Sequence, residues 1–263
     1  MLGEDIKKYF IFACIWSFGG WLDSNKRTMF SNWWRHTYRN HTTFPAEGEV
    51  WDYHIDTDTR HFVRWHDTLS SYSVSHGQNM ASEAFVHTLR SEQLLYLSSL
   101  LTTSGHPVLL AGDTGCGKSI LSHELLNALC LGDVAEMSEL RIPINSSTDP
   151  RRLWGCLKDR LEWRHGTLHT PAGNKKLLCL LDDLNLAKTN KRGGQPACEF
   201  VRQLLDQERI FDPLSLNWKT IKGIIYLATW NTAASEIPPA QRQRLLRHFC
   251  IFPCKYPRFA IYL

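Results

Sequence analysis

The segment LLAGDTGCGKSILSHELL, Leu109 to Leu126, sets a glycine-rich turn between an apolar run and a helical pattern. Within it, Gly112-Asp113-Thr114-Gly115-Cys116-Gly117-Lys118-Ser119 satisfies G-x-x-x-x-G-K-[ST], a spacing that needs a strand to deliver the chain and a helix to receive it. The glycines let the backbone curl until successive N–H groups converge on phosphate oxygens. The positive end of the following helix adds to that field. Lys118 then reaches the β- and γ-phosphates of a nucleotide, and Ser119 offers a hydroxyl to Mg²⁺. A turn of this kind belongs at the end of a strand in a parallel α/β sheet.

The rest of the chain supplies such a sheet. From about Ala84 onward, short apolar runs alternate with helical patterns, the sequence form of strands covered on both faces. PVLLAG (Pro107 to Gly112), ELRIPIN (Glu139 to Asn145), KLLCLLDD (Lys176 to Asp183) and IKGIIYLATWN (Ile221 to Asn231) are the expected strands, and RHFCIF a fifth. KSILSHELLNALC, DPRRLWGCLKDRLE and PACEFVRQLLDQ are the expected helices. No internal repeat or low-complexity segment interrupts the pattern.

Two further strand ends carry polar groups. LLCLLDDLN places Asp182 and Asp183 at a carboxyl end, where open α/β sheets bind ligands. Asp182 is the candidate to hold Mg²⁺ through water. Asp183 stands where many ATPases have a glutamate that orients the attacking water, and it is one methylene shorter. An apolar strand ending in two acids also serves as a plain capping turn. Asn231, closing IIYLATWN, is a candidate to fix the lytic water by hydrogen bonding. It equally suits an Asx-type turn.

Before Ala84 the texture differs, with Trp, His and Arg and little periodicity. EVWDYHID reads as one short alternating strand, and the aromatics around it as docking contacts. A formal charge of +4 from 30 basic and 26 acidic residues, without a long basic block, speaks against nucleic acid as a partner. YFIFACIWSFGGWL (Tyr9 to Leu22) is too short to span a membrane and is expected as a buried helix, because Glu4 and Asp5 spoil a signal-like start. The eight scattered cysteines contain no C-x-x-C and read as buried free thiols of a reducing compartment. The acceptor patterns at Asn40 and Asn145 are then chance matches.

Taken in order, FACIWSFGG, FSNWWRH, VWDYHID, PVLLAGDTGCGKS, KKLLCLLDDLNLA, GGQPACEFVRQLLDQ and RLLRHF resemble the AAA+ proteins of the dynein heavy-chain family, over roughly Phe10 to Phe252. The likeness is to the third AAA+ module with the end of the second in front, and axonemal-type chains are the nearer relatives. It implies a P-loop parallel sheet flanked by helices, preceded by a mainly helical and irregular segment. The implied divisions are residues 1–83, 84–252 and a divergent tail 253–263. The resemblance further implies ATP and Mg²⁺ as cofactors and a ring of six modules in which the third regulates. Other heavy-chain modules or dynein-complex subunits are the implied partners, with microtubules reached only indirectly and no membrane. Cytoplasm, cytoskeleton and the axoneme of cilium or flagellum are the implied locations. Arg244 takes the place of the arginine that reaches a neighbouring module's γ-phosphate, with Arg247 as runner-up.

The chain departs from the family at Cys116, where a small hydroxyl residue is usual, and in ATWNTAASEIPPAQRQR. PCKYPRFAIYL does not resemble the corresponding stretch of dyneins, so the helical small domain is expected to be missing, as in a truncated or spliced product. A non-catalytic fragment that docks to dynein-type complexes is the alternative. A stand-alone GTPase lacks its N-K-x-D, and a small-molecule kinase would have to use PRRLWGCLKDR as its arginine lid.

Overall fold

The computed structural model describes residues 2–20, 22, 24–39, 44–56, 58–69, 85–131, 137–191, 193–212, 215–233 and 239–255. Asn40, Ala84 and the tail beyond residue 255 lie outside the described residues. The chain divides into two units, Met1–Gln93 and Leu94–Leu263.

The first unit contains α1 (Leu2–Gly19), α2 (Ser24–Thr37), β1 (Tyr53–Ile55), β2 (Phe62–Arg64) and α3 (Trp65–Thr68), and α4 (Leu89–Thr103) begins in it. Only one side of α1 is buried, which corrects the expectation of a buried helix. Ile11, Phe12, Ile15 and Trp16 face inward, whereas Ile6, Phe10 and Phe18 are exposed. No described helix is long and apolar enough to cross a membrane. The centre of the unit is Trp51, edge-on to Trp16 with ring centroids 5.4 Å apart. Its ring lies over Gly19 so closely that a Cβ there would be 2.1 Å from it, which is why α1 ends on glycine. Arg27 sits 5.1 Å over the same ring and donates hydrogen bonds to the carbonyls of Gly20 and Leu22. The short strand expected in EVWDYHID is shorter still. Val50–Asp52 form a 3₁₀ turn, and Tyr53, His54 and Ile55 are all buried, so the strand does not alternate. β1 pairs antiparallel with β2.

The second unit holds β3 (Val108–Gly112), α5 (Lys118–Cys130), β4 (Met137–Pro143), α6 (Pro150–Lys158), β5 (Leu161–His165), β6 (Leu168–Pro171), β7 (Lys176–Asp182), α7 (Pro196–Gln207), β8 (Arg209–Asp212), β9 (Asn217–Ile221), β10 (Ile224–Asn231), α8 (Pro239–Leu246) and β11 (Cys250–Cys254). Five of these strands form a parallel sheet in the order β11-β3-β10-β7-β4. All five expected strands are in it. Leu109, Leu177, Cys179, Leu181, Tyr226 and Ala228 pack with residues of α6, α7 and α8 such as Leu153, Trp154, Val201 and Leu245. The intervening residues Leu110, Leu178, Leu180 and Leu227 are equally buried on the other face. There α5 touches β3, β4, β7 and β10. Burial on both faces explains why the strands read as continuous apolar runs.

Several boundaries differ from expectation: β3 starts one residue later than expected, β4 runs over Met137–Pro143 rather than Glu139–Asn145, and β11 over Cys250–Cys254 rather than Arg247–Phe252. The helix expected through Glu162 stops at Lys158. It starts on a capping bond from Arg152 N to the Asp149 side chain, with Pro150 at its first turn. IKGIIYLATWN is two strands, because Lys222-Gly223 breaks it and Gly223 takes φ +83°. β7 ends at Asp182 rather than Asp183. A second sheet, β5-β6-β9-β8, has no counterpart among the expected strands. β5 is largely exposed, so no apolar periodicity marks it. All eight cysteines are free thiols, but only Cys179, Cys198 and Cys254 are buried. Burial pushes the Cys198 thiol up to about 12.

Candidate functional site

The order of the sheet brings three carboxyl ends together. β10 lies between β3 and β7, so Asn231 is in register with Gly112 on one side and Ala228 with Leu181 on the other. The turn after β3 is shaped by Gly115 at φ +83° and Gly117 at φ +88°, a region that L side chains resist. Gly112 is required for a different reason. A Cβ there would lie 2.2 Å from the Cys254 carbonyl oxygen and 2.8 Å from Cys116 Sγ. Lys118, the first residue of α5, is 6% exposed. Its ammonium group donates to the carbonyls of Gly112 (3.1 Å) and Asp113 (2.7 Å), with Cys116 Sγ at 3.7 Å. The lysine thus sits inside the curl of the turn.

Across the turn, Ser119 Oγ donates to Asp182 Oδ1 at 3.2 Å, joining residues 63 apart in the chain. A hydroxyl and a carboxylate are hard oxygen donors of the kind that share Mg²⁺ with phosphate oxygens. Among the described residues no group of three His, Cys, Asp or Glu side chains could hold a metal without such help. Asp183 comes next in the left-handed conformation, φ +55° and ψ +49°, as the residue before a 3₁₀ turn over Leu184–Leu186. Its side chain makes no capping bond, so the plain capping reading finds no support. Burial first, and then the neighbouring Asp182 carboxylate, raise the Asp183 carboxyl above the ordinary range, against the pull of Lys118.

Asn231 does two things at once. Its Oδ1 accepts from Ala233 N at 3.1 Å, which is an Asx turn, while its Nδ2 donates to Thr114 Oγ1 in the phosphate turn. Thr232 also donates to Asp113, through its hydroxyl, and its N–H donates to Gly112 O at 3.1 Å. Asp113, Thr114, Lys118, Ser119, Asp182 and Asn231 are therefore linked along one edge of the sheet, with Asp183 beside them. Arg244 is not joined to this cluster. It is exposed on α8 and has no hydrogen bond or ion pair among the described residues. Arg247 Nη2 donates to Asp206 Oδ1 at 3.2 Å, which ties it to α7.

Reading the sequence missed three residues that hold the site. Thr229 Oγ1 donates to Asp182 Oδ1 at 2.6 Å and accepts from Asp183 N at 2.7 Å. Asn185 Oδ1 accepts from Asn231 N at 2.8 Å. Gln195, buried ahead of α7, donates to the carbonyls of Ala187 (2.6 Å) and Asn185 (3.3 Å) and so fixes the turn after the acids. The available signal was polarity at buried positions, above all a threonine two places before Asn231 in an otherwise apolar strand.

Two family models match the chain. One is described as the P-loop containing dynein motor region and covers residues 74–257, and the other as the dynein heavy chain AAA lid domain and covers residues 2–67. Among curated relatives, human dynein axonemal heavy chain 17 is 32% identical over 253 residues, 95% of this chain. Pig dynein axonemal heavy chain 11 is 30% identical over 253 residues, again 95% of this chain. The flagellar outer-arm dynein beta chain of Chlamydomonas reinhardtii is 30% identical over 257 residues, 96% of it. The chain spans only 5% of the pig relative and 6% of the other two.

Proposed function

The chain belongs to the dynein heavy-chain family, and on that footing we propose that it is an ATP-binding AAA+ module that regulates rather than drives movement, with weak turnover or none by itself. The family implies nucleotide and Mg²⁺ in general. The observation that carries the assignment to these residues is the meeting of Ser119 with Asp182 beside a lysine enclosed by its own glycine-rich turn. In this reading the backbone N–H groups of Gly112 to Ser119 and the Lys118 ammonium bind the phosphates. Ser119 and Asp182 hold Mg²⁺, which when bound offsets phosphate charge. Asp183 and Asn231 orient water, and the short arm of Asp183 on a left-handed backbone keeps its carboxylate back from that water. Arg244, unbonded and exposed, is available to a neighbouring module, whereas Arg247 is engaged by Asp206.

The third-module position, and the division into residues 1–83, 84–252 and 253–263, belong to this same reading. So do its partners, other heavy-chain modules or dynein-complex subunits, with microtubules reached only through them. Location in the cytoskeleton, within an axoneme, accords with the names of the relatives, which are axonemal, ciliary and flagellar. A docking fragment is the second reading. It draws on a groove of about 800 Å³ in the first unit, lined by Phe10, Cys14 and Phe18 of α1 and Phe30, Trp33 and Trp34 of α2.

Calorimetry with ATP, together with phosphate release, separates the two. The parent chain is expected to bind Mg-ATP with release near background, and Lys118→Ala to weaken binding about a hundredfold through loss of a charged donor. Equal affinity in both would remove the assignment of the site to this turn, and a parent that binds no ATP would remove the nucleotide reading and leave the docking one.

A further inference from the structure

Along the buried length of β10 the one aliphatic hydroxyl is that of Thr229, which is 0% exposed and lies between Ala228 and Trp230. A valine would fill the same volume and suit a strand as well, without a hydroxyl that has to be bonded to be tolerated. Both bonds of that hydroxyl go to the acid pair. It donates to Asp182 Oδ1 at 2.6 Å and accepts from Asp183 N at 2.7 Å. Neither is a ladder bond, since the register of β10 with β7 runs from Ile224 opposite Leu177 to Ala228 opposite Leu181 and ends there. The threonine carries the pairing one step past the end of the backbone ladder.

The carboxylate is constrained in two ways as a result. Asp182 Oδ1 receives hydroxyls from two elements, Ser119 of α5 and Thr229 of β10, so the rotation of the carboxyl group is fixed and its Oδ2 is left without a partner among the described residues. The same threonine holds Asp183 N, and with it a left-handed backbone that residues other than glycine seldom adopt.

We propose that Thr229 is a positioning residue for the divalent cation of the bound nucleotide, acting by holding the Asp182 carboxylate through a second hydroxyl bond to the same oxygen that Ser119 bonds. The proposal rests on the reading of this edge as a nucleotide site, and it assigns to β10 a part in metal binding without direct contact with the metal. Its signature is a dependence on Mg²⁺ that a merely structural residue would not show.

The test measures ATP affinity of the whole 263-residue chain by calorimetry, once with Mg²⁺ and once with a chelator. The parent is expected to gain affinity with Mg²⁺. Thr229→Val is expected to lose about tenfold of that gain, as for one hydrogen bond to a charged group, and to match the parent in chelator. Thr229→Ser, which keeps the hydroxyl, is expected to recover the gain. If Thr229→Val shows no cooperative melt, Thr229→Ala is read in the same way. The proposal is overturned if the variant keeps the parent's full Mg²⁺ gain, or if its affinity falls equally in both conditions. A parent that binds ATP equally well without Mg²⁺ overturns it too. A parent that binds no ATP in either condition overturns instead the nucleotide reading on which it rests.

Discussion

In the first unit, Arg27 and Arg35 turn back onto backbone carbonyls, while at the carboxyl edge of the second unit's sheet short hydroxyl, amide and carboxylate side chains bond to one another beside a single lysine. Arg27 donates to the carbonyls of Gly20 and Leu22, and Arg35 to those of Pro45, Glu47 and Gly48. At the ends of β3, β7 and β10 the bonds run instead between Ser119, Asp182, Thr229, Asn231 and Thr114. The reason lies in the backbone. Helix ends and three-residue strands leave carbonyls that side chains must satisfy. A five-stranded parallel sheet satisfies its own, so the polar residues at its carboxyl ends are free to be arranged around a ligand. The apolar parts contrast as well. The first unit packs largely through aromatic rings, with Trp51 meeting Trp16, Phe30 and Gly19, and the second spreads its core over many aliphatic residues.

Three measurements break or sharpen that contrast. Leu178, fully buried in the central sheet, has the largest expected effect: Leu178→Ala should cost about 2–5 kcal/mol, read from urea denaturation. Gly19→Ala should cost about 1–3 kcal/mol, because its new methyl group has to displace the Trp51 ring. Should Gly19→Ala prove costlier than Leu178→Ala, the single ring matters more than the distributed core and the contrast is reversed.

The smallest effect is a difference of sign with pH. Burial holds His54 below the ordinary histidine value, opposed in part by Ile55 and Asp56. Its unfolded form therefore binds a proton first, and stability falls as pH drops from the ordinary value to the lowered one. Asp183 is raised, so its folded form binds the proton first. Acidification from that raised value to the ordinary carboxylate range adds stability. Denaturation midpoints against pH for the parent, His54→Gln and Asp183→Asn should show the two variants removing slopes of opposite direction. Slopes of the same sign would mean that the two groups are not perturbed in opposite ways.

The sheet was legible because its central strands β3, β7 and β10 are buried on both faces and read as apolar runs, and the phosphate turn because its glycines and lysine have fixed spacing. The second sheet was not, since residues such as Glu162, Arg164 and Asn217 face solvent and their strands are set by pairing with β6 and β8 rather than by their own pattern. Of the site, Lys118, Ser119, Asp182 and Asn231 were visible as residues with known chemistry at strand ends. Thr229 and Asn185 were hidden because what makes them matter is a partner on another strand, and partners across a sheet leave no mark in local sequence. The one-sided burial of α1 was hidden for a related reason: aromatic residues on both of its faces erase the amphipathic signal.

Gly223, the break between two strands, also splices the second sheet to the first. Its carbonyl is bonded to Leu177 N at 2.8 Å, and Pro171 lies against it, 3.1 Å from where a Cβ would be. The joint between β9 and β10 is thus clamped to β7 and to the end of β6. Tension applied at the exposed Trp218 of β9 is expected to pass through this splice into β10, which is bonded to β3 on one side and β7 on the other. Trp218 and Asn231 are in that sense the two ends of one tie-rod.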